Sequence, residues 1–140
     1  MKTVKLLSAL LCLLGLAIGQ AHAAIAIIVN PDNSNTLNER EVRQIFLGQI
    51  KTFPDGLEAQ TLDNLSGDLR SRFITGVLKR NESTMNAYWA RMLFTAKATP
   101  PRELANSAEV KQAVAGSKTA IGYIDASQVD DSVRVIMTVE

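Results

Sequence analysis

The one cysteine of this 140-residue chain is Cys12 and its one histidine is His22, so residues 24–140 contain neither. That stretch forms no disulfide, offers no thiol or imidazole nucleophile, and lacks the side chains on which nearly all structural zinc sites depend. Whatever it folds into rests on an apolar core alone. No metal and no cofactor is expected, and catalysis would have to come from Asp63, Asp68 or Asp125, whose spacing indicates no acid–base dyad.

The first 23 residues read as a cleavable leader. Lys2 and Lys5 make a charged front, Leu6 to Ile18 an apolar run, and Ala21-His22-Ala23 a small-x-small cleavage site. The run is about 13 residues long, against roughly 20 for a bilayer span, which argues against a membrane anchor. Cleavage after Ala23 and a periplasmic destination are therefore expected, with residues 24–140 as a single domain. Without Lys2 and Lys5 that domain holds 13 basic against 14 acidic side chains, so nothing marks nucleic acid or a membrane surface as its partner.

The pattern along the chain predicts an α/β fold. Ala24–Val29 is an isoleucine-rich run suited to a buried strand, and Asn30-Pro31-Asp32-Asn33-Ser34-Asn35 is a cluster of turn formers. Asn38 with Glu41 predicts a capping box, and Gly48 a left-handed helix stop. After the Phe53-Pro54-Asp55-Gly56 turn, a second strand is expected over 58–62. A helix capped by Ser66 follows, with Leu69, Phe73 and Val77 on one face. Met85, Tyr88, Trp89, Met92 and Leu93 recur at helical spacing as the core face of the next helix. Pro100-Pro101 opens a loop, Asn106 with Glu109 predicts another capping box, and 119–124 and 133–139 are the last strands. The expected order is strand, helix, strand, three helices, strand, strand, with helices covering a mixed sheet of four to five strands.

Several strings in that order resemble one lobe of the type II periplasmic binding proteins, especially the substrate-binding subunits of phosphate ABC transporters. Val29-Asn30, Ile45-Phe46-Leu47-Gly48 and Phe53-Pro54-Asp55-Gly56 match the opening of that family's second lobe. Leu62-Asp63-Asn64-Leu65-Ser66-Gly67-Asp68 stands where the family has an Arg-x-Asp-x-Ser-Gly-Thr loop, and Ala120 to Ile124 matches its Ile-Gly-Tyr strand. Arg70-x-x-Phe73, Trp89-x-Arg91 and Phe94-Thr95 before Pro100-Pro101 are similar to a smaller, single-lobe group of phosphate-binding-protein-like chains. The chain departs from the family loop in lacking its Arg, replaced by Leu62 or Asp63, and in placing Asp68 where Thr stands.

The resemblance implies a non-enzymatic receptor that holds phosphate or another small anion for a transporter or sensor. Its site would comprise Ser66, Gly67 and Asp68 at a helix start, Arg70 as cationic partner, and Asn30 and Ser34 in the same cleft. A helix start supplies unpaired N–H groups and partial positive charge to such a ligand. The same residues also suit ordinary helix capping, with Asp68 complementing the dipole. One lobe leaves a ligand half exposed, so tight capture would require a second lobe from a dimer mate or membrane partner. An accessory protein-interaction module is accordingly the alternative.

Overall fold

The computed structural model describes residues 24–140; the expected leader and its cleavage site lie outside the described residues. In chain order the elements are β1 (Ile25–Val29), α1 (Glu39–Phe46), β2 (Gln60–Asn64), α2 (Leu69–Gly76), α3 (Glu82–Phe94), β3 (Arg102–Leu104), α4 (Ser107–Ala115), β4 (Ala120–Asp125) and β5 (Arg134–Val139). They form one mixed sheet in the order β3-β2-β4-β1-β5. The segment β3-β2-β4 is parallel, whereas β1 runs antiparallel to both β4 and β5. The α/β architecture expected from the sequence is the one observed.

Alternation along the central strands explains the layers. Ile25, Ile27 and Val29 of β1, with Ile121 and Tyr123 of β4, face a core filled by α1, α2 and α3. Ala26, Ile28, Ala120 and Ile124 face the other way, against Val110 and Val114 of α4. Because both faces are covered, β1 is buried throughout and reads in sequence as an unbroken apolar run. On the larger side Phe73 stacks on Tyr123, with ring centroids 3.8 Å apart, and Phe46 meets Phe73 edge-on at 4.8 Å. Such pairs add about 0.5–1.5 kcal/mol each beyond the area they bury.

The caps of α1 follow the sequence. Asn38 Oδ1 accepts from the Glu41 N–H at 2.9 Å, and Glu41 Oε2 accepts from the Asn38 N–H at 2.8 Å. Gly48 lies at φ +69°; its N–H donates to Ile45 and the next N–H, of Gln49, to Gln44, the bonds of a Schellman closure. At α4, Asn106 accepts from the Glu109 N–H, but Glu109 reaches back to the N–H of Ala105, one residue before the expected box partner.

Four expectations are corrected. The second strand lies two residues later than 58–62, because Asp63 and Asn64 end the apolar alternation yet are buried by hydrogen bonding. A third strand, Arg102–Leu104, occupies what was expected to be loop; it is an edge strand held by Leu62, Asp63 and Asn64 of β2, with no apolar pattern of its own. Ser66 does not cap α2, since Asp68 holds the cap position and Ser66 turns back to Asn64. Leu93, expected in the core with Met85, Tyr88 and Trp89, is 54% exposed.

Candidate functional site

The parallel strands β3, β2 and β4 all end at one edge of the sheet, and α2 and α4 both start there. This is the arrangement in which open α/β sheets gather ligands. Asn64, the last residue of β2, is its anchor. Its Nδ2 donates to Ser107 Oγ at 3.0 Å and to the Tyr123 carbonyl at 3.1 Å, tying β2 to the start of α4 and to β4. Its Oδ1 accepts from the N–H of Ser66 at 3.1 Å and from the Ser66 hydroxyl at 2.6 Å, which folds the turn before α2. Ser107 Oγ also accepts from the Asp125 N–H at 3.2 Å.

Asp63 organises the charge. One carboxylate oxygen accepts a short hydrogen bond from the Tyr123 hydroxyl and another from the Asn64 N–H; the other oxygen receives Arg70 Nε at 2.8 Å. Burial opposes the positive charge of Arg70, but the hydrogen bond and charge of Asp63 outweigh it and hold the guanidinium above its ordinary pKa. Burial, reinforced by the Asp63 charge, pushes the Tyr123 hydroxyl far up, so it remains a donor. Asp125, at the end of β4, is held below the usual carboxylate range by hydrogen bonds from Ser127. No buried side-chain nitrogen or oxygen among the described residues lacks a partner.

Ser66, Gly67, Asp68 and Arg70 are thus brought together at this edge. Gly67 is exposed at φ +53°, with open space where a side chain would stand, so a ligand can approach its backbone closely. Asp68 is exposed, makes no side-chain cap bond, and lies 3.6 Å from Arg72. The sequence missed that Asp63 and Tyr123 hold Arg70 in place. The only signal was an acidic residue interrupting an otherwise alternating strand.

Asn30 and Ser34 are not at this edge. Val29 pairs with Ile121 at the beginning of β4, whereas Asn64 bonds near its end. The turn after β1 therefore lies at the opposite end of the sheet, which corrects the expected shared cleft. Asn30 instead donates to the carbonyls of Val114 and Ala115, both at 3.0 Å, and closes the C-terminus of α4. Ser34 is exposed in the same turn. Among the described residues no group of three His, Cys, Asp or Glu gathers to hold a metal, and no helix is long and apolar enough to cross a membrane.

A family model described as a PBP superfamily domain matches residues 17–136. No curated protein matches the chain significantly. Among solved structures, an ABC-type phosphate transport receptor from Vibrio cholerae aligns with a TM-score of 0.63 at 19% identity, covering 82% of this chain and 46% of the receptor. A protein from Clostridium perfringens, assigned as a phosphate ABC transporter substrate-binding protein and solved with bound phosphate, aligns at 0.62 and 23% identity, covering 81% and 45%. PstS from Borrelia burgdorferi aligns at 0.60 and 14% identity, covering 81% and 47%. The chain spans under half the length of these proteins, and at such identities the likeness is one of fold.

Proposed function

Because the chain belongs to the PBP superfamily, we propose that it is a solute-binding-type protein recognising phosphate or another small anion for a transporter or sensor, without enzymatic activity. Residues 24–140 are the working unit, released into the periplasm by cleavage after Ala23. The observation that carries the reading is the meeting of the α2 and α4 starts at one sheet edge, with the Arg70 guanidinium beside them.

In this reading the anion lies against the backbone of Gly67 and Asp68, under the positive end of α2, and Arg70 supplies the countercharge. Asn30 and Ser34 take no part. Asp63 competes for the same guanidinium, and Asp68 adds like charge at the mouth of the site. A single lobe leaves the ligand on the water side, where charge pairs contribute only about 0–1 kcal/mol each. Affinity is therefore weak until a dimer mate or membrane partner covers the edge.

Titration calorimetry with phosphate and sulfate tests this. Asp68→Thr removes repulsion and strengthens binding, whereas Arg70→Ala weakens it. A measurable affinity that neither variant alters would overturn the site. If no anion binds at all, a second reading takes over, that of an accessory interaction module. The exposure of Phe94 (91%) and Leu93 (54%) favours that alternative, since both leave apolar surface to water that a partner can cover.

A further inference from the structure

A second concavity lies away from the proposed anion edge. It is a groove of about 720 Å³ bounded by the end of α1, the first half of β2 and the loop joining α3 to β3. We infer that this groove docks an acidic, apolar-bearing extended segment of a partner protein. The inference deepens the second reading above and rests on it.

The groove is formed by two helix ends of the same design. At the end of α1, Gly48 takes the left-handed position of a Schellman closure, and a Cβ placed there would meet the Ala98 Cβ at 2.7 Å. At the end of α3 the same closure recurs: Ala96 N–H donates to Leu93 and Lys97 N–H to Met92. Here the left-handed residue is Ala96, at φ +54°, rather than glycine. An L-residue in that conformation costs about 1–2 kcal/mol, a strain that is retained where the resulting geometry has a use. The geometry leaves Leu93 on the groove wall, with Phe94 exposed next to it, and turns Lys97 onto the rim.

Charge decides what fits. The charged groups lining the groove are Lys51, Lys97 and Arg102 against Glu58 alone, and all four are exposed. Lys97 also complements the α3 dipole, but Lys51 and Arg102 lie beyond the last turn of either helix, where that effect has decayed. The closing carbonyls of both helices already accept backbone N–H groups, so the groove does not call for a donor-rich ligand. An apolar wall with a cationic rim matches a segment that alternates carboxylates with Leu- or Phe-like side chains.

Panning a displayed library of random 12-residue peptides against the purified protein tests the inference. Fluorescence anisotropy of the selected peptides then measures their affinity. The expected consensus is rich in Asp and Glu around one or two large apolar residues. Its affinity falls with added salt, drops about tenfold in the Lys97→Glu, Arg102→Glu double variant, and drops again in Leu93→Asp. Arg40→Glu, on the exposed start of α1, is the charge control and leaves binding unchanged. Unaltered melting temperatures show that the variants fold, and the salt dependence of the unmodified protein decides the matter even where they do not. A neutral or basic consensus, or binding indifferent to salt and to the groove variants, overturns the groove while sparing the interaction reading. Failure to select any peptide overturns both.

Discussion

Tyr123 connects packing to electrostatics. Its ring stacks on Phe73 in the larger core, while its hydroxyl donates to Asp63 and receives the Asn64 N–H. Tyr123→Phe keeps the stack but removes that donor, leaving a nearly buried carboxylate underbonded. It is expected to cost about 1–3 kcal/mol in urea unfolding. The pH dependence has a definite sign. Because the Tyr123 pKa is raised on folding, its contribution is complete below the ordinary value of 10.0 and is lost as pH climbs beyond it. Urea midpoints should therefore fall faster above about pH 10 in the native sequence than in Tyr123→Phe; parallel profiles would show that the hydroxyl carries no such linkage. The burial of Tyr123 in its strand motif was expected from the sequence, but its bonds to Asp63 and Asn64 were not. A side chain's partners across the sheet depend on register, and register is not written locally.

The helix ends show which local signals can be read in advance. Asn38 with Glu41, and Gly48 at the stop, are contacts within a single turn, so their spacing announces them. Ser66 carried the same kind of signal, but the Asn64 side chain captures it first. The matched closures of α1 and α3 give paired predictions. Gly48→Ala must accept both a left-handed φ and an overlap with Ala98, and should lose about 2 kcal/mol or more. Ala96→Gly relieves the strain at the corresponding position and should gain about 0.5–1 kcal/mol after the entropy penalty of glycine. Urea denaturation of the two variants checks both, and equal stability of Ala96→Gly and the native sequence would mean that the turn stores no strain. The edges follow the same local chemistry. β3 is three residues long and preceded by Pro100-Pro101, and the β1–β5 register shifts at Ile27/Ile28, devices that discourage edge-to-edge pairing.

For the molecule as a whole, the absence of Cys and His after residue 23 leaves stability to the two apolar layers. The melting temperature should be unmoved by reductant or by chelator, and a marked fall with either would reveal a cross-link or metal. N-terminal sequencing of the exported protein should begin at Ala24; recovery of Met1 from a membrane fraction would refute the leader. The α/β class and four of the five strands were readable because binary patterning reports burial. The edge that holds Arg70 was only partly readable, and the placement of Asn30 at the far end was not, because the antiparallel course of β1 reverses which end its turn occupies. That course has one more consequence. β1, the first of the described strands, is flanked by β4 and β5, the last two of them, and can acquire neither neighbour until nearly the whole described chain has been synthesised. A nascent chain therefore has no central hydrogen-bonded ladder to close early, and loop closure over such separations slows folding. For any chain that must cross a membrane unfolded, such a topology is an advantage, because the central ladder stays open until its last strands are available.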